Sequence, residues 1–236
     1  MAPVQSWFKG ILIDTDVKGF DGGALRSFFN NTQRDLIKIS QTKLGADLLE
    51  LIRKRHQGIG TSESGDRRTV TIKPRAGEGA STMATQAGLK SNVERMFGGR
   101  NIRFAGKGSR TFVCMHNDGN SEAIYTRLAG VPTPTYIALA HELIHALHHL
   151  GGNTYTDEVQ AAGGAAKREE MFTTGLGAYK NTRISENALR REVGLRERVF
   201  YTFPDDHTHV TSLLQPLNAL LPKGYWYCAA LQQGEG

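Results

Sequence analysis

His141, Glu142 and His145 are the residues of this 236-residue chain whose types and spacing are best suited to chemistry. They fall in the run Ala138-Leu-Ala-His-Glu-Leu-Ile-His-Ala-Leu-His-His-Leu150. On an α-helix, side chains four residues apart stand one turn above another on the same face, so His141 and His145 can aim two imidazoles at one cation. Glu142 projects beside them. There a carboxylate can take a proton from metal-bound water and return it to a leaving amine. H-E-x-x-H on a helix is the pattern of zinc-assisted peptide hydrolysis.

That chemistry requires a helix that is well bounded and buried. Pro132 and Pro134 precede the run, Thr135 is the expected N-cap, and Gly151-Gly152 stop it. Ala138, Leu139, Leu143, Ile144, Ala146, Leu147 and Leu150 make the helix apolar nearly all round, as for a central helix. Histidines and a glutamate on such a helix need partners.

A zinc hydrolase needs a third protein ligand and an open fourth position. A three-histidine site of the form H-E-x-x-H-x-x-G-x-x-H is excluded, because His148 stands where its Gly belongs and Gly151 where its third His belongs. The other common solution is a Glu on a second helix downstream. The segment Lys167-Arg-Glu-Glu-Met-Phe-Thr-Thr-Gly-Leu-Gly177 allows a loop and a return helix, with Glu169 as the favoured ligand. Glu170, Glu158 and Asp157 are the other available carboxylates. Of two adjacent acids, one can bind metal while its neighbour orients a histidine. His148 and His149 are expected to support the ligands or lie at the surface rather than bind metal.

The attacked carbonyl also needs a donor for its developing oxyanion. Leu195-Arg-Glu-Arg-Val-Phe-Tyr201 offers Arg196, Arg198 and Tyr201, shortly after a helix capped by Ser185. His207 and His209, after Pro204-Asp-Asp206, read as a polar loop rather than a second metal pair.

The rest of the chain describes a small soluble enzyme. Hydrophobic content of 39% with a mean hydropathy of −0.38 suits a globular protein, and no apolar run is long enough to cross a bilayer. The opening Met1-Ala-Pro-Val-Gln-Ser-Trp-Phe-Lys lacks a charged segment followed by a hydrophobic core, so export by the usual signal peptide is not expected. Two cysteines, Cys114 and Cys228, are too few for a disulfide framework and suggest a reducing compartment. The net charge of +6 is spread over many short Lys and Arg runs, which argues against a nucleic-acid partner.

Along the chain, residues 1–40 mix Gly with polar residues and read as a segment with little order, leaving 41–236 as one domain. Apolar spacing predicts a helix over Lys43–His56. Alternation predicts strands at Thr69–Lys73, Ile102–Phe104 and Arg110–Met115, the last as the edge strand that lines up an extended substrate. Residues 75–91, rich in Gly, Ala, Ser and Thr, read as a loop or insertion. A turn at Asn117–Asn120 leads to the motif helix, and the C-terminal half reads as mostly helical.

Three blocks then carry a family likeness: His141-Glu-Leu-Ile-His-Ala-Leu-His148, Glu169-Glu-Met-Phe-Thr-Thr-Gly175 and Ser185-Glu-Asn-Ala-Leu-Arg-Arg-Glu-Val-Gly-Leu-Arg196. Together they resemble the NleD-like type III secreted effector zinc metalloproteases. The first two also resemble clostridial neurotoxin light chains. The resemblance implies an α+β, minimal zincin-like fold, in which a small mixed sheet packs on the central H-E-x-x-H helix. It further implies one zinc ion held by His141, His145 and Glu169, with Glu170 supporting them and Glu142 as the base. Because both groups use an Arg downstream, and the neurotoxins a Tyr, Arg198 and Tyr201 become the favoured oxyanion donors. Delivery by a type III system into host cytoplasm, as a monomer, would account for the missing signal peptide, with MAP kinases of the JNK and p38 type as the implied substrates. The competing expectation is a binding protein that keeps zinc as a structural clip. Glu142 argues against that, since a structural site needs no base and closes all four positions.

Overall fold

The computed structural model describes residues 3–57, 68–76, 79–84, 94–97, 100–103, 108–155, 158–161 and 164–199. In chain order the elements are β1 (Val4–Gln5), β2 (Ile11–Ile13), α1 (Gly22–Ser40), α2 (Lys43–Gln57), β3 (Val70–Pro74), β4 (Ala80–Ala84), β5 (Glu94–Phe97), β6 (Arg100–Arg103), β7 (Thr111–Met115), α3 (Ser121–Ala129), α4 (Thr135–Gly151), β8 (Glu158–Ala161), β9 (Gly164–Lys167), α5 (Arg168–Thr174), a 3-10 turn (Gly177–Tyr179) and α6 (Glu186–Glu192). The protein is α+β. A five-stranded mixed sheet of order β1-β2-β3-β7-β4 packs on the H-E-x-x-H helix α4, while β5-β6 and β8-β9 form separate antiparallel pairs.

Strand alternation builds the core. In β2, β3 and β7, Ile11, Ile13, Val70, Ile72, Val113 and Met115 are fully buried, whereas Leu12, Lys73, Phe112 and Cys114 on the other face are half-buried. On that outer face the Lys73 ammonium lies over the Phe112 ring and pairs with Asp14 at 3.4 Å. β2, β3 and β7 run parallel, and β4 returns antiparallel to β7 from Ala80 opposite Met115 to Ala84 opposite Thr111. On the core side lie α4 and the apolar faces of α1 and α2, among them Leu36, Ile39, Leu48 and Ile52. No helix among the described residues is long and apolar enough to cross a membrane.

Three expectations change here. The first forty residues are part of the fold: from residue 3 onward they supply two strands and a 19-residue helix. The polar stretch Gly19–Gly23 is a helix start, in which the Asp21 carboxylate accepts from the Ala24 amide at 2.8 Å. Second, Arg110–Met115 is not the sheet edge. β7 lies between β3 and β4, and β4, drawn from the Gly- and Ala-rich segment read as a loop, takes the edge. Third, the turn at Asn117–Asn120 opens the unanticipated helix α3 before α4 begins.

Tertiary contacts complete the helix ends. The opening amides of α2 have no intrahelical acceptors. Gly45 donates to the Thr42 hydroxyl at 2.9 Å, while Lys43 and Leu44 donate to the Glu192 carboxylate at the end of α6. An anion at a helix N-terminus also meets the favourable end of the dipole.

Asp35, buried on α1, accepts from the Asn117 amide at 3.1 Å. Burial pushes its carboxyl up to about 6, outweighing Asn117, Lys38 and Arg34. Between the ordinary 3.8 and about 6, the folded protein keeps a proton that the unfolded chain has released. Stability therefore falls as pH rises through that window, by roughly 3 kcal/mol at about 1.4 kcal/mol per unit, and the penalty persists above it. Asp35→Asn is expected to raise Tm at pH 7 to 8, with the gain vanishing near pH 4. Melts across pH check this, and a pH-independent effect would refute it.

Candidate active site

α4 carries five polar candidates on one buried helix. Its N-cap is Pro134 rather than Thr135, with the Pro134 carbonyl accepting from Ile137 at 2.9 Å. Its end is set by Gly152, whose φ of 65° is left-handed and therefore easiest for glycine. There the Asn153 and Gly152 amides donate to the carbonyls of His148 and His149 at 2.9 and 3.1 Å. Within those limits His141, Glu142, His145 and His149 are each less than a tenth exposed.

The two motif imidazoles meet as the spacing requires: Nε2 of His145 lies 3.1 Å from Nε2 of His141. The carboxylate sharing that face is Glu170, whose Oε2 is 2.9 Å from His145 Nε2 and 3.5 Å from His141 Nε2. The far sides of both rings are held. His141 Nδ1 pairs with Glu186 Oε2 at 2.8 Å, and His145 Nδ1 with Glu169 Oε1 at 3.1 Å. A carboxylate on each Nδ1 favours a proton there and turns the Nε2 lone pair toward the centre, the usual support of a metal-bound histidine.

Glu169 therefore occupies a different position from the one favoured on sequence. Its Oε1 lies 2.6 Å from His148 Nδ1 and accepts from the Thr173 hydroxyl at 3.2 Å, while its Oε2 accepts from the Tyr155 amide at 3.0 Å. Neighbouring residues on a helix point about 100° apart, so the two acids cannot share one face. Which of them meets the Nε2 pair depends on how α5 is rotated against α4. Among the described residues, two groups of side chains could hold a metal ion: His141, His145 and Glu170, and His145, His148 and Glu169. Only the first uses both motif histidines. Tetrahedral zinc ligands, at about 2.0–2.1 Å from the ion, lie roughly 3.3 Å from one another. The first group fits that spacing.

Charge also favours a cation. Although burial alone would raise Glu169, Glu170 and Glu186, the neighbouring histidines and, for Glu186, Arg198 and Arg190 hold all three well below the ordinary carboxylate range. Burial pulls His141 and His145 down, but these same acids outweigh it and raise both above the ordinary imidazole value. A divalent cation held between these groups would compete with protons for the imidazole nitrogens.

Behind His141, the Glu186 carboxylate also binds Arg198 Nη1 at 2.9 Å and Arg190 Nε at 2.7 Å. Arg190, fully buried, reaches on to the Pro132 carbonyl and the Thr133 hydroxyl at 2.7 and 2.6 Å, which ties α6 to the entry of α4. Arg198 is fixed at its backbone by Asn187, with its amide donating at 2.8 Å and its carbonyl accepting at 2.9 Å. The end of α5 packs so tightly on the start of α6 that a Cβ on Gly175, whose φ is 80°, would lie 2.6 Å from Ser185 Oγ.

Of the other predicted residues, His148 stacks its ring on Phe172 at 4.8 Å and binds Glu169. His149 turns away, with Nδ1 3.3 Å from the Thr111 hydroxyl, and burial pushes it down to about 4, which keeps it neutral. Arg196 is exposed. Tyr201, Asp157, His207 and His209 lie outside the described residues, as does the side chain of Glu158, whose backbone belongs to β8. Two residues were not singled out by sequence. Glu186 carried only the weak signal of an acid four residues before Arg190 in a capped helix. Thr82, whose hydroxyl is 2.6 Å from Glu142 Oε2, lies in a segment read as a loop.

Against solved structures, the chain is similar to the light chain of Clostridium botulinum neurotoxin serotype F at 14% identity and a TM-score of 0.43, covering 89% of this chain and 60% of that one. It is also similar to the botulinum neurotoxin serotype HA light chain at 12% identity and 0.46, covering 95% and 65%. A second serotype F catalytic domain gives 13% and 0.41, covering 89% and 74%. The chain thus spans less than two thirds of the length of the first two. Comparison with curated proteins gives no match. The peptidase M91 family model, described as effector protein, matches residues 17–201, most of the chain, and the protein belongs to that family.

Proposed function

We propose that this protein is a zinc-dependent endopeptidase that acts on a protein of a host cell. The observation that carries the reading is the convergence of His141 Nε2, His145 Nε2 and Glu170 Oε2 on one buried point, with Glu142 next in the helix. His141, His145 and Glu170 would hold the metal, and bound zinc supplies Lewis acidity toward the carbonyl and a water of pKa near 7. Glu142 takes the proton of the attacking water and passes it to the leaving amine. Glu169 and Glu186 keep the two imidazoles aimed. Arg198, held by Glu186 and Asn187, is the described candidate donor for the oxyanion. An extended substrate would add by backbone pairing to β4, an edge strand among the described residues, the role first expected of β7.

Membership of an effector family supports delivery into a host cell. By the NleD-like resemblance, the first substrates to test are kinases of the JNK and p38 type, with the protein acting as a monomer. The test is to incubate zinc-loaded protein, or its Glu142→Gln variant, with host-cell lysate and compare new peptide termini by mass spectrometry. Termini that need Glu142 and fall within a kinase activation loop support both levels of the proposal. Termini elsewhere keep the peptidase and reject the kinases, and none at all rejects proteolysis in that host.

A further inference from the structure

Glu142 carries the proton in the reaction proposed above, and its two carboxylate oxygens are not equivalent. The Thr82 hydroxyl of the edge strand β4 lies 2.6 Å from Glu142 Oε2 and 3.1 Å from the main-chain carbonyl of the same residue. One hydroxyl therefore touches both the fixed and the movable part of Glu142. Among the described residues, it is the hydrogen-bond partner of that carboxylate. Glutamate has three rotatable side-chain bonds, and a base that wanders among rotamers loses the orientation on which proton transfer depends.

We propose that Thr82 is a positioning residue for Glu142. It holds Oε2 and so leaves Oε1 as the oxygen that exchanges the proton with water and leaving group. The hydroxyl donates to Oε2, the nearer and charged acceptor at 2.6 Å, and touches no reacting atom itself. The sheet edge thus does more than pair with β7: it orients the base on the helix packed against it. The inference rests on the metal-peptidase reading of the site, so its test must fail differently from that reading.

The probe is acetohydroxamate, which ligates a metal through its oxygens and shares its acidic proton with a correctly placed carboxylate. It requires no knowledge of the natural substrate. Zinc-loaded full-length wild type, Thr82→Val and Thr82→Ser are compared by calorimetry, with zinc content and thermal melts of loaded and metal-free protein measured in parallel. Hydrogen bonds to charged groups imply that Thr82→Val weakens hydroxamate binding about tenfold or more. Thr82→Ser is expected to stay within about twofold of wild type, since it keeps the hydroxyl, and all three proteins should bind equal zinc. In a Glu142→Gln background the valine change should add nothing, because the carboxylate that shares the hydroxamate proton is gone. Wild-type affinity in Thr82→Val with zinc bound overturns the positioning role and leaves the metal site standing. A serine variant as weak as valine, or an equal loss in the Glu142→Gln background, also overturns it, by assigning the effect to packing. A wild type that takes up no zinc overturns the metal-site reading, and this role with it.

Discussion

Glu142→Gln is expected to lower peptide cleavage by about two to four orders of magnitude while leaving zinc content and Tm at wild-type values. The substitution is nearly isosteric, and its amide oxygen can still accept from Thr82, which lies 2.6 Å from Glu142 Oε2. The atoms proposed to bind zinc belong to His141, His145 and Glu170, and their contacts at 2.8 to 3.1 Å run to Glu186, Glu169 and one another. What the variant loses is the ability to accept a proton from water. Steady-state cleavage of a substrate found in lysate, with zinc measured in the same samples, provides the check. Undiminished turnover would remove Glu142 from the chemistry, and lost zinc would make the variant a folding defect rather than a test of mechanism.

Glu170→Ala and Glu169→Ala are expected to separate sharply, although the residues are adjacent. Glu170→Ala deletes the carboxylate facing both Nε2 atoms, so zinc retention and cleavage should both be lost. Glu169→Ala removes the partner of His145 Nδ1 and the anchor of His148 and Tyr155. Loss of such a supporting carboxylate costs about ten- to hundredfold in metal affinity or activity, so the protein should still load at higher zinc. Competition with a chelator of known affinity gives the order directly. The reverse order would move the metal to His145, His148 and Glu169, leaving His141 outside it.

The second pair of variants bears on what a sequence can reveal. His141, Glu142 and His145 were legible because they lie on one helix, where covalent geometry sets their spacing. The pairing of Glu169 with Glu170 was legible as a supply of carboxylates, but not the division of labour between them. That division depends on the rotation of α5 against α4, set by Gly175 pressed on Ser185 and by Phe172 packed on His148. Glu186 was overlooked for the same reason. It reaches His141 across 45 residues of chain, and nothing near it in sequence marks it as a partner of a histidine.

The fold divides along the same line. α2, β3 and β7 were readable from periodicity, because each buries one face and its residues repeat accordingly. The first forty residues and β4 were misread, because Gly-rich and small polar runs have little local preference and take their structure from neighbours. β4 becomes a strand by pairing with β7, and α1 is stabilised by burying Leu36 and Ile39 in the shared core. By itself, the sequence determined that two histidines and a carboxylate would stand on one buried helix, and hence the class of chemistry. The tertiary structure alone decided which acid faces the two Nε2 atoms, which acids pair with the far sides of the rings, and which hydroxyl lies against Glu142. Those choices are made by contacts between elements, and their energies depend on distances and angles that chain spacing does not encode.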